Sequence, residues 1–213
     1  MNRAKEQFLS IIKSDKIKQN VIHAFMNFEQ KDFFDPIFKK NYYTNESIPI
    51  GFGEMSDPLI TLLKMISYLS PKKKFRILEI GTGSGYSTAI LSSLVQEIVT
   101  VEYHERLAGK AKERLKQLKI DNVRVFYGDG ARFDKGMGIF DAVIIWAACS
   151  RRPITLIEHI KDKGLIVFPM GPVHQQQITI LRNEGDEESD QMFKITFHDF
   201  CTFTPLKGVY GID

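Results

Sequence analysis

Cysteine is scarce in this chain. Cys149 and Cys201 are the only two, too few for a disulfide framework, and their number suits a reducing compartment. Either can pack as a small apolar side chain. The five histidines show no metal-ligand spacing such as H-x-x-x-H, so neither a structural nor a catalytic metal is expected. No apolar run approaches the ~20 residues that span a bilayer, and the first residues lack the apolar core of a signal peptide. A cytoplasmic protein with no membrane partner is therefore expected. An excess of one charge is also missing: 29 Lys and Arg stand against 26 Asp and Glu, a formal net charge of +3. That is too small and too dispersed for a nucleic-acid partner. The run Lys72-Lys73-Lys74 reads as a solvated loop. No internal repeat and no linker-like stretch interrupts the 213 residues, which predict one domain and a monomer.

What the chain does contain is a strand, a glycine-rich loop and a helix in immediate succession. Arg76-Ile77-Leu78-Glu79-Ile80 runs into Gly81-Thr82-Gly83-Ser84-Gly85-Tyr86, and a helix-like segment follows from Ser87. Glycines at such a turn let the backbone approach a nucleotide-type ligand closely. About twenty residues on, a second apolar strand, Val99-Thr100-Val101, ends in Glu102. A carboxylate there can accept hydrogen bonds from both ribose hydroxyls of a nucleoside. An adenosine-containing cofactor at the carboxyl end of a parallel sheet is expected.

The spacing bears on which one. The dinucleotide fingerprint G-x-G-x-x-G presents helix N–H groups to a pyrophosphate. Here the third glycine comes one residue early, and Tyr86 stands where the fingerprint has its last glycine. The shorter G-x-G-x-G loop after an acidic Glu79 resembles motif I of the S-adenosylmethionine-dependent methyltransferases. Glu79 suits that ligand, which carries an ammonium and a sulfonium.

Around this loop the patterning predicts an α/β doubly wound, mostly parallel sheet, and the resemblance to motif I implies that it is the Rossmann-like methyltransferase fold. Strands are expected near 76–80, 98–102, 123–127, 142–146 and 165–169, and helices near 87–95, 105–118 and 154–160. Residues 1–70 read as a helical cap and substrate loop, and 75–170 as the cofactor-binding core. Phe8, Ile11, Ile12, Ile17, Val21, Ile22 and Phe25 recur at helical intervals in the cap. Residues 32–43 read as irregular and 48–58 as a loop. Asp57 reads as the N-cap and Pro58 as the first turn of a helix to Leu69. Residues 171–213 carry an antiparallel hairpin, 177–182 and 192–203, joined by the polar turn 183–190.

The resemblance extends well past motif I. Phe34 to Gly53, with Pro36, Tyr42, Tyr43 and Ile48-Pro49-Ile50-Gly51-x-Gly53, resembles the substrate loop of protein-L-isoaspartate O-methyltransferases. Leu78 to Tyr86 is similar to that family's motif I almost residue for residue. Asn122 to Gly130, Phe140 to Ala148 with Pro153, Pro169-x-Gly171, Gln175 to Gln177 and Phe203-x-Pro205-Leu206-x-Gly208 resemble its later motifs, in order. The resemblance implies S-adenosyl-L-methionine as cofactor and a protein or peptide carrying isoaspartate as substrate. It places Gly81, Thr82, Gly83, Ser84 and Gly85 along the methionine part, with Glu79 near its charged end. Glu102 would hold the ribose, Asp129 and Gly130 would flank the adenine, and Met55 and Tyr103 would also contact the cofactor. Taken alone, Asp129 reads rather as a turn aspartate bonding its own backbone; the other motifs in register give it the adenine role.

The chain departs from the family on the acceptor side. The family's Gln-Thr-Ile-Ser, one further residue and Pro is here Glu54-Met55-Ser56-Asp57-Pro58, one residue shorter. Ser56 is the candidate for the active-site serine, either bonding the acceptor carboxylate or holding the loop; it reads otherwise as a helix cap. Glu54 and Asp57 bracket it with two acids. One negative charge about 4 Å from an acceptor carboxylate opposes it by about 1 kcal/mol in water, and about 4 kcal/mol at an effective dielectric near 20. Trp146 replaces a small Thr and reads either as a pocket wall or as core packing. Two alternatives therefore stand beside isoaspartyl methylation: a methyltransferase for another acceptor, and a non-catalytic module that binds the cofactor. A nicotinamide-dependent oxidoreductase fits less well, because the third glycine is misplaced.

Overall fold

The run Ile77 to Ile80 is fully or almost fully buried although Glu79 lies within it. Such unbroken burial belongs to a central parallel strand covered on both faces. A computed structural model describes residues 3–12, 17–132, 135–184 and 193–208. The run forms β3 (Arg76–Ile80), flanked on one side by β4 (Glu97–Glu102) and β5 (Val123–Tyr127). On its other side lie β6 (Phe140–Ile145), β7 (Ile160–Met170), β8 (Gln176–Asn183) and β9 (Phe193–Cys201). The sheet order is β5-β4-β3-β6-β7-β8-β9, parallel as far as β7 and antiparallel across β7-β8-β9. The chain reverses direction across the sheet between β3 and β6, and clefts form at the carboxyl ends of strands beside such a switch.

Alternate strand residues feed two cores. Ile77, Ile98, Ala142, Ile144 and Val167 face α2 (Gln19–Met26), α3 (Leu59–Leu69) and α4 (Tyr86–Ser92). Leu78, Val99, Val143, Ile145 and Ile166 point to the other side with Leu156 of α6 (Ile154–Ile157). Between β4 and β5, α5 (Glu105–Gln117) buries Leu107, Ala108, Ala111 and Leu115 along one stripe. The N-terminal segment forms the two helices its periodicity predicts, α1 (Arg3–Ile12) and α2. A fully buried Lys5 ties α1 down, donating to the Met26 and Phe28 carbonyls at 3.1 and 2.8 Å and to Glu29 at 3.1 Å.

Four local expectations change. Residues 48–58 are not simply a loop: β1 (Pro49–Gly51) and β2 (Glu54–Met55) make a small antiparallel hairpin. Gly51, Phe52 and Gly53 all sit at positive φ, which permits the tight reversal, and strands of two and three residues are too short to show a period. Asp57 does not cap α3; Pro58 occupies the N-cap without a side-chain bond, and Asp57 turns elsewhere. The helix expected over 154–160 stops at Ile157, because the His159 carbonyl accepts from Phe140 N–H at 2.7 Å and draws the chain into the sheet. Residues 32–43, expected to be irregular, hold a 3-10 segment, Pro36–Asn41, and another, Gln30–Asp32, leads into them. The expected turn 183–190 lies, from residue 185 on, outside the described residues.

Candidate cofactor and acceptor site

The carboxyl ends of β3, β4 and β6 open into a cleft of about 910 Å³, its mouth included. Its floor is the glycine loop. Gly81 sits at φ +93, and a Cβ there would lie 3.3 Å from Trp146 Cβ, so the loop can pass the next strand only as glycine. Across the cleft, Ile50 of the hairpin comes so near Gly83 that a Cβ would meet its Cδ1 at 3.1 Å. Thr82 Oγ1 and Thr100 Oγ1 share a hydrogen bond of 2.6 Å behind the loop. Glu102 fastens it from the front: one carboxylate oxygen accepts from Gly83 N–H at 2.8 Å, the other from His104 N–H at 2.9 Å.

Most of the residues expected at the site line this cleft. They are Met55, Ser56, Gly81, Thr82, Gly83, Ser84, Glu102, Tyr103 and Gly130. Met55 and Tyr103 are 42% and 48% exposed, as groups at the mouth would be. Ser56 does not cap the following helix. Its backbone N–H donates to the Ile48 carbonyl and its Oγ accepts from Ile48 N–H, both at 2.8 Å, which closes the hairpin over the glycine loop.

Three expected residues stand away from the cleft wall. Gly85 is the N-cap of α4, packed toward Ala111 of α5 at 3.5 Å from a Cβ position. Asp129 turns toward Gly208, where a Cβ would fall 2.4 Å from its Oδ2, and toward Arg132 Nε at 3.8 Å. Its carboxylate is therefore not presented to the cleft as expected. Glu79 is fully buried beneath the loop rather than in it. Ser87 Oγ, Thr88 Oγ1 and Trp146 Nε1 donate to it at 3.0, 2.6 and 2.8 Å. Burial pushes its carboxyl up, against these hydrogen bonds, which favour the anion. Glu79 thus braces the loop from behind, joining β3 to Ser87, Thr88 and Trp146. Trp146, 7% exposed, is both pocket wall and anchor.

The fold also recruits residues that sequence reasoning missed. Glu54 is met by Lys207 Nζ at 2.7 Å, His104 Nε2 at 3.2 Å and Thr204 Oγ1 at 3.4 Å. Phe52 at the hairpin tip stacks on the His104 ring with centroids 5.8 Å apart. Burial pushes the Glu54 carboxyl up, but the Lys207 and His104 hydrogen bonds and charges outweigh it and hold it below its usual range. Asp57 also lines the cleft. Burial, then the neighbouring Glu79, pushes its carboxyl up to about 8, so it is largely protonated at neutral pH. The two acids expected to oppose an acceptor carboxylate are thus one compensated charge and one neutral group. No cysteine, histidine and carboxylate cluster able to hold a metal occurs among the described residues.

This donor set suits an adenosyl cofactor with a cationic end: a close-approach glycine floor, a carboxylate at the ribose position, and acids at the far wall. The sequence profile described as protein-L-isoaspartate(D-aspartate) O-methyltransferase matches residues 2–209. The chain belongs to the protein-L-isoaspartate O-methyltransferase family. It is 36% identical over 207 residues to the protein-L-isoaspartate O-methyltransferase of Pectobacterium carotovorum subsp. carotovorum, covering 97% of each chain. It is 35% identical over 178 residues to that of Shewanella halifaxensis, covering 83% and 84%. A solved protein-L-isoaspartate O-methyltransferase superposes with a TM-score of 0.83 at 20% identity, over 97% of this chain and 67% of the other. A Plasmodium falciparum structure described as a protein of this family, in complex with S-adenosyl-L-homocysteine, gives 0.80 at 19%, over 97% and 99%. The isoaspartate methyltransferase architecture, including the C-terminal antiparallel strands, is therefore present from end to end.

Proposed function

We propose that this chain is an S-adenosyl-L-methionine-dependent protein-L-isoaspartate O-methyltransferase that esterifies the free α-carboxylate of isoaspartyl residues in damaged proteins. The observation that carries the reading is the pairing of Glu102 with the Gly83 N–H directly below the Ser56 hairpin. It joins the ribose-side carboxylate, the methionine-side loop and the acceptor-side serine in one cleft. When bound, the cofactor supplies an electrophilic methyl group on a sulfonium.

The protein's share of the chemistry is placement. An isoaspartyl carboxylate has an ordinary pKa of about 3.9 and is ionised at neutral pH, so no general base has to remove a proton. The residues must instead hold acceptor oxygen, methyl and sulfur in line and exclude water. Gly81 to Ser84 and Glu102, which line the cleft, would hold the cofactor, with Gly130 on the adenine side. The Ser56 Oγ accepts one bond from Ile48 and keeps its own proton free to donate toward the acceptor carboxylate. Lys207 cancels the charge of Glu54 at the entrance, which removes the obstacle to an anionic substrate. The methyl ester exposes its carbonyl to the backbone amide nitrogen of the next residue: an N–C bond forms, the C–OCH3 bond breaks and methanol leaves, which a free carboxylate could not allow. Water opening the resulting succinimide yields normal aspartate together with isoaspartate.

We further place the enzyme in the cytoplasm as a one-domain monomer; both cysteines are unpaired in the fold, which supports a reducing compartment. No helix among the described residues is long and apolar enough to cross a membrane. The test is transfer of labelled methyl from S-adenosylmethionine to an isoaspartyl peptide, with the matching aspartyl peptide as control. Base-labile label on the isoaspartyl peptide alone is the expected result. Tight cofactor binding without label would overturn the acceptor assignment.

A further inference from the structure

Three acids line the cleft among the described residues, and the fold completes two of them. Glu54 has Lys207 and His104; Glu102 has two backbone N–H donors. Asp57, between the hairpin and α3, has neither a hydrogen bond nor an ion pair. Asp57 is half-buried and lines the cleft.

The groups that face it are the wrong sign for a partner. From β3 comes Glu79, and from β9 the Cys201 thiol, which burial, Asp57 and Asp199 push up to about 12 and so keep neutral. Glu54, on β2 of the hairpin, lines the same cleft and is already compensated by Lys207 and His104. Glu79 cannot serve as a donor to Asp57 at the oxygen held by Trp146, because an indole N–H only donates. One carboxyl on the cleft wall, Asp57, therefore lies near a second, Glu79, buried behind the glycine loop. An arrangement of this kind disfavours ionisation in the empty protein, and a positively charged ligand entering the cleft would relieve it.

We propose that Asp57 is the counter-charge for the cationic methionine end of the cofactor, a role that rests on the methyltransferase reading above. Three observations on different elements agree with it. The carboxyl lines the same cleft as Gly81 to Ser84. It is coupled electrostatically to Glu79, which lies directly under that loop. Basic residues that could neutralise it internally, such as Lys207, are committed to Glu54 at the mouth.

The exchange balances simply. The empty protein carries Asp57 as a neutral carboxylic acid near neutral pH; the bound form carries a carboxylate beside a cation, and the proton leaves to solvent. Cofactor binding is then coupled to proton release, and affinity should rise with pH until Asp57 is already ionised. The same coupling gives the cleft a preference for ligands that bring positive charge over neutral adenosine.

The test is titration calorimetry of S-adenosylmethionine into the intact protein at about pH 6.5, where an α-ammonium stays protonated. Run in buffers of different ionisation enthalpy, the slope of apparent heat against that enthalpy counts protons. The wild type should release about one proton, and Asp57→Asn none. The wild-type affinity should also climb by up to about tenfold per pH unit between about pH 5.5 and 7.5, while the variant stays flat. Tight binding without proton release in the wild type overturns the proposal and leaves the methyltransferase reading standing. Release of the same proton by Asp57→Asn overturns it too, by assigning the proton to another group. Failure of the wild type to bind S-adenosylmethionine at all removes both readings together.

Discussion

Trp146 Nε1 donates to Glu79 Oε1 at 2.8 Å, joining the end of β6 to the interior of β3 directly beneath the glycine loop. The bond decides between two readings of this tryptophan. Its ring walls the cleft and its N–H satisfies a buried carboxylate, so it is neither packing alone nor pocket alone. Removing one partner of such a bond leaves a buried acceptor short of a donor, at about 1–3 kcal/mol.

Trp146→Phe should therefore destabilise the protein by about 1–3 kcal/mol while keeping most of the ring volume. Losing the indole N–H removes one of the bonds that favour the Glu79 anion, so its carboxyl should move further up. Urea unfolding with and without cofactor measures both effects. A variant as stable as wild type, with unchanged cofactor affinity, would show that the bond does not organise the loop.

Ser56→Ala deletes the acceptor for Ile48 N–H. The hairpin should loosen, with methyl transfer to an isoaspartyl peptide falling on the order of tenfold, about 1.4 kcal/mol of transition-state stabilisation. Cofactor affinity should change little, because Glu102 and the glycine loop are untouched. A fall in affinity matching the fall in rate would instead make Ser56 a cofactor residue.

Lys207→Ala exposes the Glu54 charge to the acceptor side of the cleft. One unmatched charge at about 4 Å is worth on the order of 1 kcal/mol in water, so the KM for an isoaspartyl peptide should rise about fivefold. Adding Glu54→Gln to the same variant should restore it, and salt should shrink the difference. A rise in KM that survives in the double variant would tie Lys207 to substrate directly.

Asp57 predicts a pH dependence of stability with a definite sign. Its folded value of about 8 lies above the ordinary 3.8, so the folded state holds the proton to higher pH than the unfolded chain. Stability of the cofactor-free protein should therefore decline as pH rises from 3.8 toward about 8, and this contribution should level off above that. Asp57→Asn should match wild type near the acid end and exceed it above pH 8 by several kcal/mol, since each pH unit between the two values is worth about 1.4 kcal/mol. Thermal melts across that range, without cofactor, check it; parallel curves for the two proteins would place the proton elsewhere.

The parts of this protein that could be read in advance are those written in neighbouring residues. Ile77 to Ile80 must be a buried strand because consecutive apolar side chains need cover on both faces, and Gly81, Gly83 and Gly85 must turn the chain without side chains. Glu102 follows at the distance one crossover requires. Those patterns, with the family's motifs in order, sufficed for the α/β sheet and led to the cleft, which most of the expected site residues line. The hairpin at Pro49–Met55 was not legible, because strands of two and three residues carry no period. Nor were the charges. Glu54 meets His104, 50 residues away, and Thr204, 150 residues away; Trp146 meets Glu79 across 67. Pairing at such separations depends on which strand ends the sheet order brings together, and no local pattern records it. The sequence by itself determined where a cofactor of this kind could sit; the tertiary structure decided which acids around it are neutralised, which is left waiting for a charge, and so what the cleft will accept.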